Sequence, residues 1–261
     1  MTTRTTRGTD LGGRVAIVTG ASRGIGAAIT ETLAQRGAVV IASSHAADTP
    51  DEVVASLAAR GLKVHGRTAD VTDPSEVQAL ADWTQREFGQ IDVLVNNAGV
   101  GAVVPSETLS LERWSRVLAV NLTGPLLCCQ AIGAHMLAAG RGVIVNIGSV
   151  FSETGAPMRA AYAASKHGLV GLTRVLAVEW ASRGVRVVTV EPAYVRTSLD
   201  DQDQRDGGYT ADDIARRTPM GRYAEPAEIA ATVAFLASDD ASFITGASIP
   251  VDGGWLAHGG W

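Results

Sequence analysis

Cysteine is nearly missing from this chain: two residues in 261, adjacent at Cys128 and Cys129 inside an apolar stretch. Such a pair reads as two small core residues of a reducing compartment, with no disulfide framework and no metal site. Aromatic residues make up 5% and charged residues 19%, and no long run carries a single sign. With a net charge of −5, a basic surface for nucleic acid is not expected. No uninterrupted apolar run approaches the ~18 residues of a membrane span. Internal repeats and linkers are missing too. Residues 1–10 are rich in Thr and Arg, lack the apolar core of a signal segment, and read as a flexible N-terminal tail ahead of one domain at 11–261. Together these absences point to a cytoplasmic protein.

What is present is an alternation. Hydrophobic residues reach 46%, enough for a large core, and the length suits one open α/β domain. Short apolar runs predict strands at 15–18, 39–41, 62–67, 91–95, 142–147, 185–190 and 247–251. Between them, helical patterns run from the first glycine cluster to about 35 and over 74–88, 111–138, 159–182 and 226–238. The run at 91–95 is almost wholly apolar, as in a strand covered on both faces. The expected fold is a single-domain α/β structure: a Rossmann-type doubly wound parallel sheet with helices on both faces. Residues 191–225, polar and broken by Gly207, Gly208 and Pro219, read as a mobile substrate lid with short helices.

Two stretches carry chemistry. The first strand leads at once into Thr19-Gly20-Ala21-Ser22-Arg23-Gly24-Ile25-Gly26 and a helix. Strand, glycine turn and helix in that order suit a pyrophosphate, since glycines admit the backbone and the helix start offers N–H donors. In such folds an acidic residue roughly 20 positions on holds a ribose hydroxyl. Here the second strand ends in Ser43, Ser44 and His45, and Ser43 is taken as the ribose-reading position. Asp48 is assigned to the following helix start, where Thr49-Pro50-Asp51-Glu52 has the form of a capping box.

The second stretch runs from Ser149, at the end of the 142–147 strand, to Tyr162 and Lys166. The last two are i and i+4 on one helix face. A nearby ammonium favours the phenolate and brings a tyrosine closer to the range useful for acid–base work. Taken alone, such a pair is common on helix surfaces. Further upstream, Asn121 precedes Pro125 by four residues. Proline has no N–H, so the helix should kink and leave the Asn121 carbonyl free.

These motifs, with Asp70-Val71, Asn96-Asn97-Ala98-Gly99 and Pro192-x-x-Val195-x-Thr197, stand in an order that resembles the short-chain dehydrogenase/reductase family over residues 11–255. The resemblance implies an NAD(P)(H)-dependent oxidoreductase moving hydride between nicotinamide and a carbonyl or secondary alcohol. It implies Tyr162 as general acid or base, Lys166 as the group lowering its pKa and holding the nicotinamide ribose, and Ser149 on the substrate oxygen. Asn121 would hold a water of a proton path. Gly20, Ser22, Arg23, Gly24, Ile25 and Gly26 would wrap the pyrophosphate, and Asp70 and Val71 the adenine. Asn97, Ala98 and Gly99 would lie on the ribose side, and Pro192, Val195 and Thr197 at the carboxamide. Glu191 and Ala193 depart from the family's frequent Asn-Pro-Gly.

Neutral Ser43, with Ser44, His45 and Arg23 as phosphate partners, predicts NADP(H) over NAD(H). The alternative reading is a non-catalytic dinucleotide-sensing protein, although the retained Tyr and Lys argue for catalysis. A small-molecule substrate is implied, lined by Val103, Val104, Phe151, Met158 and Tyr194. Ala160, Ala161, Ala163, Ala164, Gly168 and Gly171 offer close helix approach, and relatives pair helices 111–138 and 159–182 across a two-fold axis, commonly as homotetramers.

Overall fold

The computed structural model describes residues 10–197 and 209–259. Among these, seven parallel strands form one sheet in the order β3-β2-β1-β4-β5-β6-β7. They are β1 Val15–Thr19, β2 Val39–Ser44, β3 Val64–Thr68, β4 Val93–Asn96, β5 Gly142–Ile147, β6 Val185–Pro192 and β7 Ser248–Val251. The helices are α1 Gly24–Gln35, α2 Asp51–Ala59, α3 Pro74–Phe88, α4 Leu111–Leu118, α5 Gly124–Ala139, α6 Ala160–Trp180, α7 Ala211–Arg217 and α8 Pro226–Ala237. The doubly wound parallel sheet expected from the alternation is the architecture found. Strand order reverses between β1 and β4, so the crevice of the fold opens at their C-terminal ends.

Successive strand side chains point to opposite faces, and this divides the core in two. On β1, Ala16 and Val18 join one cluster with Ile29 and Leu33 of α1 and Ile229 and Val233 of α8. Val15 and Ile17 join the other, with Val77 and Leu80 of α3, Ile132 and Met136 of α5, and Trp180 of α6. Cys128 and Cys129 lie in that second core as free thiols; burial pushes both up, Cys129 to about 12.

The helix expected at 111–138 is three pieces. A single π turn, Ala119–Thr123, separates α4 from α5, and Gly124 donates across it to the Ala119 carbonyl. Pro125 stands at the start of α5 and supplies no N–H, which is the physical reason for the interruption. The stretch Leu111–Ala139 contains an 18-residue window of mean hydropathy 1.6, long and apolar enough to cross a membrane by length and composition. That differs from the run-length expectation, because scattered polar residues break the runs without lowering the mean. Half of that window is buried within the chain.

Two further expectations change. Pro50 itself occupies the cap position of α2 with no side-chain cap, so the capping box at 49–52 does not form. In the 191–225 region, β6 continues to Pro192, Val195 bridges Ala224, and α7 is closed by a Thr210/Asp213 capping box. The centre of the expected lid, 198–208, and tail residues 1–9 lie outside the described residues.

Candidate active site

A cavity of about 350 Å³ opens at the C-terminal ends of β1 and β4, within the usual size range of a small-molecule site. Most of the sequence-derived residues line it: Gly20, Ser22, Arg23, Gly24, Ile25, Gly26, Ser44, Asp70, Val71, Asn97, Ala98, Gly99, Ser149, Tyr162, Lys166, Pro192, Val195 and Thr197. Ser43 and Asn121 do not.

The glycine turn has no room for side chains. A Cβ on Gly26 would collide with the Gly20 carbonyl oxygen, and Gly20, at φ 65°, would bring one to 2.8 Å from Ala98 Cα. Thr19 and Asn97 lock the turn from behind. Thr19 Oγ1 accepts from the Asn97 and Ala98 N–H groups at 3.0 and 3.1 Å, and Asn97 Nδ2 donates to the Thr19 and Gly20 carbonyls, both at 2.9 Å. The Asn97 amide nitrogen is therefore committed to the turn, while the residue lines the cavity. α1 begins without a side-chain cap and without an acidic residue in its first turn, so its N–H groups can serve an anion.

At the far rim the register decides which residues matter. Thr19 pairs with Ser43 in the sheet, and Ser43 is 1% exposed with a hydroxyl that finds no partner among the described residues. Ser44 and His45 line the cavity instead. The one-residue correction follows from the two-residue period of a strand. Asp48 lines it too. Its Oδ2 accepts from Ser22 Oγ at 2.7 Å and pairs with Arg23 Nη1 at 2.7 Å, while its carbonyl accepts from Ser44 Oγ. Asp48 thus lines the cavity, and the cap position of α2 falls to Pro50. The distance of Asp48 past the glycines was the signal available in the sequence. Asp70 accepts from Thr72 N and Oγ1 at 2.8 and 2.7 Å and lies 3.4 Å from His45 Nε2. Partial burial works against its charge, but the Thr72 hydrogen bonds and the neighbouring His45 and Arg116 hold its carboxyl below the ordinary value.

The opposite end holds the reactive groups. Lys166 is 4% exposed; its Nζ donates to the Ile147 carbonyl at 2.7 Å and lies 5.6 Å from the Tyr162 ring centre. Burial pulls its pKa down to about 8. Ser149 ends the β5 segment, its N–H held by Ser152 Oγ at 3.1 Å and its Oγ accepting from Phe151 N at 3.2 Å. Asn121 is fully buried behind the cavity. Its side chain clamps Val100 through both backbone groups, each at 2.9 Å, and reaches Ser165 Oγ at 3.2 Å.

An aromatic wall that sequence reasoning did not assemble closes this end. Tyr194 packs on Phe151, Tyr209, Tyr223 and Trp255, with ring centres 5.1–6.3 Å apart. Phe151 meets Tyr162 edge-on at 6.3 Å. Met158 enters α6 at φ 65°, and its carbonyl is held by Val104 N at 3.0 Å. It is followed by Arg159, which is buried in the cavity wall.

Fold and site define an α/β oxidoreductase scaffold. A protein-family model described as enoyl-(acyl carrier protein) reductase matches residues 20–256. The chain is 46% identical to a D-threitol dehydrogenase of Mycolicibacterium smegmatis, over 94% of each protein. It is 44% identical to a cis-4-hydroxycyclohexanecarboxylate dehydrogenase of Sinomonas cyclohexanicum, over 94% of this chain and 97% of that protein. A solved gluconate 5-dehydrogenase of Burkholderia cenocepacia, in complex with NADP and tartrate, superposes with a TM-score of 0.91 at 33% identity, over 96% of this chain and 98% of that one. The chain belongs to the short-chain dehydrogenase/reductase family.

Proposed function

We propose that the protein interconverts a secondary alcohol and a ketone on a small hydroxylated substrate, with NADP(H) favoured over NAD(H). One observation carries this reading. Ser149, Tyr162 and Lys166 share a cavity with a glycine turn that any Cβ at Gly26 would block.

That cradle, and a helix start without acidic residues, fit a dinucleotide pyrophosphate. Gly20, Ser22, Arg23, Gly24, Ile25 and Gly26 would hold it. Ser44, Asp70 and Val71 would take the adenosine half, and Gly99, Pro192, Val195 and Thr197 the nicotinamide half. When bound, the nicotinamide supplies or takes up the hydride. The chain's own residues do the rest. The Ser149 hydroxyl orients the substrate oxygen. The Tyr162 hydroxyl gives that oxygen a proton in reduction and takes it back in oxidation, a role that the Lys166 cation favours by stabilising the phenolate. Asn121, its side chain spent on Val100 and Ser165, would act through its backbone carbonyl on a water of the proton path.

Arg23 and His45 at the rim, and the NADP held by the gluconate 5-dehydrogenase relative, support the preference for NADP(H). The names of the three relatives, all dehydrogenases of small hydroxylated compounds, support the substrate class. A homotetramer in the cytoplasm belongs to the same reading. Val175 and Val178 stand 54% and 83% exposed on α6, and a Cβ at Gly171 would meet nothing. A single mass by light scattering tests the assembly.

The decisive experiment follows reduced-nicotinamide absorbance against a panel of polyols, hydroxy acids and ketones, with parent and Tyr162→Phe. Turnover should fall at least ~10²-fold in the variant while cofactor binding persists. Retained turnover removes Tyr162 from the proton transfer.

A further inference from the structure

Glu191 is a buried titratable side chain that the proton transfer does not use. It lies on β6 beside the strand end that carries Ser149: Ile147 pairs with Val190, and Gly148 N donates to the Val190 carbonyl at 2.7 Å. Glu191 and Ser152 are both buried and pack over the bare backbone of Gly148. A Cβ at Gly148 would stand 3.0 Å from Ser152 Oγ and 3.2 Å from Glu191 Cγ, so the glycine lets both side chains into one space. Ser152 Oγ accepts from Ser149 N at 3.1 Å, and Ser149 Oγ accepts from Phe151 N at 3.2 Å. These two bonds hold Ser149, extended, in the cavity wall. The bond to Ser149 uses one acceptor site of the Ser152 hydroxyl and leaves its proton to be placed. The Ser152 and Ser248 hydroxyls both favour the charged form of Glu191. Among the described residues, neither Glu191 oxygen has a hydrogen bond of ordinary geometry.

We propose that Glu191 is a positioning residue for Ser149, acting through Ser152. Rotation about the Glu191 side-chain torsions brings a carboxyl oxygen onto the Ser152 O–H, which donates to it. With its proton so placed, Ser152 keeps a lone pair on the Ser149 N–H, and Ser149 presents its hydroxyl to the substrate oxygen in one orientation. Without that acceptor Ser152 turns freely, and the Ser149 N–H loses a fixed partner. A carboxyl group offers an acceptor oxygen whether ionised or neutral, so the link does not depend on the charge. The proposal rests on the reading of Ser149 as the group that orients the substrate oxygen, and deepens it.

The test follows reduced-nicotinamide absorbance with whichever polyol, hydroxy acid or ketone the parent turns over fastest. Glu191→Leu fills the same space without an acceptor, Glu191→Gln keeps one, and Ser152→Ala removes the relay. Glu191→Ala serves the same purpose if the leucine variant melts early. One ordinary hydrogen bond is worth roughly 3- to 10-fold in an equilibrium. Glu191→Leu and Ser152→Ala should each lower kcat by about that factor, while Glu191→Gln stays within ~2-fold of the parent. KM for the cofactor should not move. The Glu191→Leu, Ser152→Ala double variant should lose no more than either single change. In a Ser149→Ala background neither change should lower kcat further, whereas a merely structural role would still cost turnover there. An unchanged kcat in Glu191→Leu, a Glu191→Gln variant as slow as the leucine, or losses that persist without the Ser149 hydroxyl would overturn the proposal. If the parent turns over none of these compounds, or Ser149→Ala costs nothing, the reading of the site fails and takes this proposal with it.

Discussion

The buried carboxyl group of Glu191 offers a test. It is fully buried near the end of β6, and among the described residues neither carboxylate oxygen finds a hydrogen bond of ordinary geometry. Gly148 makes room for it, since a Cβ there would stand 3.2 Å from Glu191 Cγ. Burial pushes its pKa above the ordinary value near 4.5, against smaller opposing influences from the Ser248 and Ser152 hydroxyls and from Arg174, with Glu153 adding to the rise. A raised folded-state value has one sign of consequence. The protonated group's contribution is fully present below pH ~4.5 and is lost as pH rises through the folded value. At pH values above that folded value the chain carries a buried carboxylate, eased only by the Ser248 and Ser152 hydroxyls and by Arg174.

Glu191→Gln keeps the shape and removes the charge. Relieving one unsatisfied buried group is worth roughly 1–3 kcal/mol. For a chain of this size each kcal/mol moves Tm by about 2–4 °C, so a rise of roughly 2–12 °C is expected at pH 8. Near pH 4.5 the gain should fade, because the parent is then protonated. Thermal melts at the two pH values decide it. A variant less stable than the parent at pH 8, or a gain that does not change with pH, would refute the account.

Other outcomes can be checked with the same protein. Lys166→Arg retains a cation at every accessible pH, and burial pulls the Lys166 pKa down to about 8, so an alkaline fall in activity set by loss of that cation should move upward even if turnover drops. An unmoved limb removes the lysine's charge from the explanation. Gly26→Ala drives a methyl group into the Gly20 carbonyl, and 5′-AMP titration should detect little or no binding, whereas parent-like affinity would show that the turn tolerates a shift. Thr19→Val takes away the hydroxyl that holds the Asn97 and Ala98 N–H groups. Leaving two part-buried donors unmet should cost about 1–3 kcal/mol in urea unfolding, and a loss below ~0.5 kcal/mol would place little weight on that lock.

The sequence by itself determined what depends on neighbours along the chain. Strand and helix alternation, the glycine turn and the Tyr162–Lys166 spacing are periodic or short-range features, and the sheet reproduces them within a residue or two. The π turn at Ala119–Thr123 was foreshadowed by Pro125, because a missing N–H acts locally. Where two elements had to be set against each other, tertiary structure decided. Whether Ser43 or Ser44 enters the cavity depends on which strand face meets the crevice, and a slip of one residue reverses that answer. The Asn97 side chain braces the glycine turn because β4 lies beside β1. Trp255, beyond the last strand, reaches Tyr194 across the fold. Asp48 acquired its meaning from Arg23, 25 positions earlier. Glu191 lost its solvent only when β7 and the Ser149 segment closed over it. Charge pairing and burial arise from distances through space, and the chain specifies those only once it is folded.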